Sequence, residues 1–302
     1  VQDGAETIAA DINDEAAVAA ALAGRAFDVV ADFIAFTPEQ AQRDIRLFSG
    51  RCRQYIFISS ASAYAKPMPY PVLTESTALK NPYWRYSREK AACEDVLMRA
   101  WREDNFPVTI VRPSHTYCER SVPVAMHGRC GSFAVIERIR TGRKVIIPGD
   151  GTTWWTTTHS RDFARGFAGL MGNPHAIGEA VHITGDESLT WNQIHQCIAS
   201  ALGVKLRAVH IASETLAALC DDYVGALLGD KSNSVLFDNA KLKRLVPGFT
   251  ATIRYDQGMR EALDYIYAHP ELQKPDPEFD AWCDEVIERY ESAVAQLPKM
   301  AR

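Results

Sequence analysis

This chain of 302 residues holds no C-x-x-C pair, no long apolar run and no excess of positive charge. Its seven cysteines, at positions 52, 93, 118, 130, 197, 220 and 283, are scattered and odd in number. That argues against a disulfide framework or a zinc site and for reduced thiols in the cytoplasm. No stretch approaches the ~20 apolar residues that span a bilayer, and no cleavable leader pattern opens the chain. Lys and Arg number 33 against 38 Asp and Glu, a net charge of −5 with a pI near 5.9. No global basic field therefore draws the protein to nucleic acid or to acidic membranes. No G-x-G-x-x-G or G-x-x-G-x-x-G loop is expected anywhere in the chain, and with it no phosphate cradle. Hydrophobic residues do make up 47% of the chain, enough for a sizeable core in one large domain or two unequal lobes. These limits describe a soluble globular protein.

The pattern alternates strand and helix. Residues 7–10 are β-prone and lead into Asp11-Ile12-Asn13-Asp14, where Asp14 is placed to cap an Ala-rich helix stopped by Gly24. Residues 27–33 read as a strand. Thr37-Pro38 then opens a helix with proline at its first position. The apolar run 54–58 reads as a buried strand that ends in Ser59-Ser60. Residues 86–102 read as a helix, and 108–111 as a strand ending Arg112-Pro113. Such alternation argues for βαβ units and a parallel sheet. Farther on, helix is expected over 132–140, 191–202, 213–228 and 257–269, and over 162–170 with Ser160 as its cap. Strand is expected over 144–147, 152–158, 179–183 and 205–211. A final amphipathic, acidic helix over 277–296 is expected to pack on its own domain.

Chemistry concentrates at Tyr86 and Lys90, which project from one helix face at i, i+4 spacing. An ammonium beside a phenol lowers its pKa, as a general acid/base tyrosine requires. Ser60, at a strand's carboxyl end, is placed to bond a substrate oxygen. The Pro- and aromatic-rich loop 64–84 is long enough to cover a site. Y-x-x-x-K alone is a weak signal; its setting makes it specific.

That setting is S-S at a strand end, Tyr64, Y-x-x-x-K 26 residues after Ser60, and R-P at the next strand end. From about Glu6 to His269 it resembles the extended short-chain dehydrogenase/reductase family, the NAD-dependent epimerases and dehydratases. The resemblance implies an α/β fold, a Rossmann-like doubly wound parallel sheet with a smaller mixed α/β C-terminal substrate lobe. Residues 1–150 would form the dinucleotide-binding domain. Residues 151–302 would be mainly the substrate lobe, interleaved with the first. The family's glycine-rich strand-turn-helix has no counterpart before Asp11, so an N-terminally incomplete domain is expected.

By the same resemblance Ser60, Tyr86 and Lys90 are catalytic. NAD or NADP is bordered by Asp11, Ile12, Phe33, Ile34, Ala35, Ser59, Tyr86, Lys90, Pro113 and Ser114. Ser60, His115 and Trp155 meet a sugar-like hydroxyl or carbonyl substrate, and no metal is expected. Asp162 matches the family's H-V-x-D. The arginine that holds a sugar nucleotide's diphosphate is replaced by Trp155, which can stack on a ring but offers no fork to phosphate. Relatives pair through the Y-x-x-x-K helix, which implies a homodimer. The alternative is a non-catalytic role, either RNA binding as in plant chloroplast stem-loop binding proteins or NADP sensing. The acidic balance and the intact Ser60, Tyr86 and Lys90 set weigh against both.

Overall fold

Strands form where the chain carries runs of apolar and β-branched residues, and the computed structural model, which describes residues 4–298 and Met300, shows why those runs are continuous. The first half runs α1 (Glu15–Ala21), β1 (Phe27–Asp32), α2 (Pro38–Phe48), β2 (Cys52–Ile58), β3 (Val72–Leu73), α3 (Arg85–Asp104), β4 (Val108–Pro113) and β5 (His115–Tyr117). It continues through α4 (Phe133–Arg140), β6 (Val145–Pro148), β7 (Trp154–His159), α5 (Ser160–Leu170), β8 (Ala180–Ile183), β9 (Ser188–Thr190) and α6 (Trp191–Ala201). β10 (Ala208–Ile211), α7 (Ser213–Leu219), a π-helical segment (Val224–Lys231), β11 (Leu236–Phe237), α8 (Ala240–Leu245), α9 (Tyr255–Ala268) and α10 (Pro277–Ala295) complete it.

β1, β2, β4 and β8 form one sheet in that order, all parallel. Helices cover both faces, so the central strands are apolar throughout rather than alternating. On one side α2 and α3 pack Leu97, Cys93 and Ala41 against Tyr55, Phe57 and Ile110. On the other, α5 and α8 pack Phe167, Leu170 and Leu242 against Ile56, Val111 and Ile183. This is a doubly wound arrangement. A larger cluster gathers Trp155, Trp191, Tyr255, Met259 and Phe279 among α4, α6, α9 and α10. β8, α5 and α8 complete the parallel sheet, while α4 and β6 join the second core. α10 packs on α4 and β6 of its own chain through Arg138 and Arg143, which bridge to Asp280 and Asp284.

Local signals hold at several ends. The Asp14 carboxylate accepts from Ala17 N at 3.0 Å, and Thr37 with Gln40 forms a capping box. α3 ends at Asn105 in a left-handed conformation (φ 56°), which asparagine tolerates.

Four features depart from expectation. Residues 7–10 make no strand, because no neighbouring strand lies beside them to complete a ladder among the described residues. α5 is capped by His159, whose Nδ1 accepts from Arg161 N, and Ser160 is already its first residue. The helix expected over 213–228 stops at Leu219 and resumes as the π-helical segment. A G-x-x-G-x-x-G spacing does occur, at Gly166, Gly169 and Gly172, but it lies within α5 and its exit. It serves packing: a Cβ on Gly166 would sit 2.9 Å from Ile183 Cγ2, and one on Gly169 would meet Val246. It is no phosphate loop.

Candidate active site

Where β2 ends, its two serines diverge. The Ser59 hydroxyl turns inward and donates to the buried Glu94 carboxylate of α3. Glu94 also takes three hydrogen bonds from Arg112 at the end of β4, the shortest at 2.6 Å. Arg112 reaches on to the Tyr64 hydroxyl at 3.2 Å, and Tyr64 meets His182 of β8. An ion pair this deeply buried is tolerable only when its remaining groups are bonded as well. Here they are, and the network ties the ends of β2, β4 and β8 to α3. Ser60 faces the other way. Its hydroxyl accepts from Ser62 N at 3.2 Å and stays on the wall of an open cleft.

The cleft has a volume of about 340 Å³. It gathers Ser60, Tyr86, Pro113, Ser114, His115 and Trp155, six of the residues that the sequence singled out. It lies at the carboxyl ends of the parallel strands, where open α/β sheets bind ligands. Tyr86 packs against Trp84, ring centroids 5.2 Å apart, and against Phe36 at 6.3 Å. Burial raises its phenol above the ordinary 10.0; the neighbouring Ser60 hydroxyl works the other way.

Lys90 departs from the expected role. Its ammonium donates to the carbonyls of Ala35 and Ile58, both at 2.7 Å, and lies 6.0 Å from the Tyr86 ring centroid. Burial lowers its own pKa. The expected lowering of Tyr86 by Lys90 is therefore not seen in the free chain, because the lysine's charge is directed at backbone carbonyls beneath the cleft. An ammonium has three N–H groups, and two are used. The ammonium also lies 4.5 Å from the Phe36 ring centroid and 4.8 Å from that of Phe57.

His115 and Trp155 form a unit. The indole N–H of Trp155 donates to His115 Nδ1 at 3.0 Å. An indole only donates, so Nδ1 is the unprotonated nitrogen and Nε2 carries the hydrogen. Burial holds the imidazole down, to about 3, well below its ordinary 6.5. Trp155 is buried and stacked on Trp191, 5.1 Å between centroids. One of its faces is thus taken by the core.

The remaining positions divide. Ala35 is buried and its carbonyl accepts from Lys90, while Phe33 and Ile34 beside it are exposed; none of the three is among the residues lining the cleft. Ser59 is committed to Glu94. Asp11 is exposed and caps its own loop by accepting from Asn13 N at 2.9 Å, and Ile12 lies beside it, outside the cleft. Sequence reasoning missed Ser62, Trp84, Asp230, Lys231, Val235 and Phe237, which also line the cleft. Only the paired glycines of V-G-A-L-L-G-D-K hinted that Asp230 and Lys231 sit in a special segment.

The sequence model of the NAD dependent epimerase/dehydratase family matches residues 1–184, more than half of the chain. The chain belongs to this family. Among curated relatives, it is 25% identical over 224 residues to 2'-dehydrokanamycin reductase of Streptomyces kanamyceticus, covering 74% of this chain and 61% of that protein. It is 26% identical over 194 residues to chloroplast stem-loop binding protein of 41 kDa b from Arabidopsis thaliana, covering 64% and 47%. The chain thus spans between about half and three fifths of the length of these relatives. Among solved structures it is similar to dTDP-glucose 4,6-dehydratase from Bacillus anthracis, in complex with NAD. That match has a TM-score of 0.69 at 16% identity and covers 88% of this chain and 80% of that one. The epimerase/dehydratase family is one of NAD-dependent enzymes on a Rossmann-type fold, and the doubly wound sheet described above is that fold.

Proposed function

We propose that the chain is an NAD(P)-dependent oxidoreductase of the epimerase/dehydratase type acting on a sugar-like hydroxyl or carbonyl. The observation that carries this reading is the convergence of Ser60 and Tyr86 on one cleft above a buried Lys90. These residues fit the nicotinamide end of the cofactor, with Ala35, Pro113 and Ser114 beside them. No glycine-rich turn joins a strand to a helix among the described residues, so a pyrophosphate cradle is not part of the fit. When bound, the nicotinamide supplies or accepts the hydride.

The chain's own groups handle the proton and the alignment. A phenol raised by burial is fully protonated at neutral pH. Tyr86 is then set to donate from Oη to an oxygen that gains charge, and to take the proton back in the reverse direction. Ser60 bonds the same oxygen and orients it. Lys90 holds the floor of the crevice and offers its third N–H to the cofactor's ribose. His115, fixed as the neutral Nε2–H tautomer by Trp155, offers a hydrogen-bond donor to a substrate hydroxyl. Trp155 acts as its positioning residue rather than as a replacement for a phosphate-binding arginine.

Tyr86→Phe tests the assignment. Hydride transfer to a panel of oxo-sugars, followed by reduced-nicotinamide absorbance, should fall by about 10²–10³-fold with the melting temperature unchanged. Undiminished turnover would remove Tyr86 from the mechanism. RNA binding has one observation behind it, the likeness to the stem-loop binding protein. A gel shift with generic RNA that weakens with salt would favour that reading; the net charge of −5 leads us to expect none.

A further inference from the structure

Behind the catalytic cleft lies a second cavity of about 390 Å³, walled by Met126, Tyr223, Ala226, Phe279 and Trp282. Of the residues that line either space, Lys231 alone lines both. Its positive charge acts on the imidazoles of His115, in the cleft, and of His127, in the second cavity. The ammonium therefore stands at the junction. The backbone that carries it is held, because the indole of Trp191 donates to the Lys231 carbonyl at 2.9 Å. The Asn81 side chain also ties the π-helical segment to the Ser62 carbonyl through Gly229.

Two lysines, Lys66 and Lys231, face a single carboxylate, Asp230, and burial disfavours the charged form of all three. Neither lysine has a carboxylate oxygen within 4.0 Å among the described residues. Lys66 Nζ meets only Met68 Sδ, at 3.3 Å. Asp276, in the second cavity, is occupied with the backbone amides of Cys130 and Phe279. Arg129, Asp222 and Glu278 also line the second cavity, so the junction as a whole holds no surplus of positive charge. Lys231 itself still lacks an ion-pair partner among the described residues, and an unpaired ammonium in a low-dielectric setting is costly. An anionic group on a ligand would pair it.

We propose that Lys231 binds a single anionic group, carboxylate or phosphate monoester, of a two-part substrate. The reacting ring of that substrate lies in the cleft and an apolar group fills the second cavity. This specifies the substrate class of the oxidoreductase reading and rests on it, but it is tested by binding alone.

The experiment titrates the full chain with 3-phenylpropionate, phenyl phosphate, 3-phenylpropan-1-ol and inorganic phosphate by calorimetry. Both aryl anions should bind about tenfold tighter than the alcohol, as expected for one charge-assisted hydrogen bond. Phosphate alone should bind more weakly than phenyl phosphate. Lys231→Met should abolish the preference for anions and keep alcohol binding, and Lys231→Arg should preserve the preference. Because the Trp191 bond goes to the backbone of Lys231, both variants retain it. Equal binding of alcohol and propionate, an anion preference that survives Lys231→Met, or phosphate binding as tight as that of phenyl phosphate would each overturn the proposal. The readout is binding of probes that undergo no reaction, so failure of the catalytic assignment and failure of this one are separate results.

Discussion

Tyr86 and Lys90 share a helix face, yet in the folded chain they answer to different neighbours. Lys90 is drawn down to two carbonyls while Tyr86 is shielded by Trp84 and Phe36. Spacing placed the two side chains, and burial set their protonation. His195 shows the same control outside the cleft. Its Nδ1 lies 2.8 Å from the Trp191 carbonyl, which can only accept, so Nδ1 carries the hydrogen. Nε2 is buried without a partner, and burial holds the imidazole down to about 4 from its ordinary 6.5. Between those two pH values the unfolded chain binds a proton that native His195 refuses. Stability therefore falls as pH drops through that window and is indifferent to this group above it. Chemical denaturation from pH 7 to pH 4 should show His195→Gln with a shallower acid slope, by up to about 1.4 kcal/mol per pH unit. An unchanged slope would mean that His195 is charged in the native protein.

At the scale of elements, the cleft depends on how closely the π-helical segment approaches the start of α3. Gly225 and Gly229 face Trp84 and Tyr83 with no side chain between. A Cβ on Gly225 would lie 2.5 Å from Trp84 Cδ1, whereas one on Gly229 would lie 3.2 Å from Trp84 Cβ. Gly225→Ala must displace either the segment or the indole that backs Tyr86, at a cost of about 1–3 kcal/mol. Gly229→Ala should cost less. Calorimetric melting together with turnover should rank the two in that order; a milder Gly225→Ala would show that the segment gives way freely. π-Helical turns often mark functional positions, and this one delivers Asp230 and Lys231 to the cleft. The pattern over 213–228 suggested one amphipathic helix because its apolar spacing does not register one extra residue per turn. On α3 the same kind of reading succeeded, since its face pairs with a single partner surface.

Across the whole molecule, α10 closes the second cavity with Phe279 and Trp282. It is held by Arg138, whose buried guanidinium reaches Asp280 and Asp284 at 2.6 Å each. Arg138→Ala should destabilise the fold by about 2–3 kcal/mol, less than a fully buried pair because both aspartates keep some water. It should also raise binding of a hydrophobic dye as the cavity opens. A melting temperature equal to that of the unaltered protein would show that α10 is held by its apolar face alone. No helix among the described residues is long and apolar enough to cross a membrane.

Much of the parallel sheet was legible without coordinates. β1, α2, β2, α3 and β4 lie within a few residues of their expected bounds, because continuous apolar runs, Thr37-Pro38 and Asp14 act locally on the backbone. The Ser60, Tyr86, Lys90 and Arg112-Pro113 order was legible for the same reason, being a matter of spacing along strands and one helix. Tertiary structure alone decided what those groups face. Lys90 finds Ala35 from 55 positions away, Trp155 finds His115 from 40, and Asn81 holds Gly229 from 148. Such contacts leave no period in the chain. Protonation, the tautomer of His115 and the unpaired ammonium of Lys231 all follow from burial and from neighbours distant in sequence, which exist only once the chain is packed together.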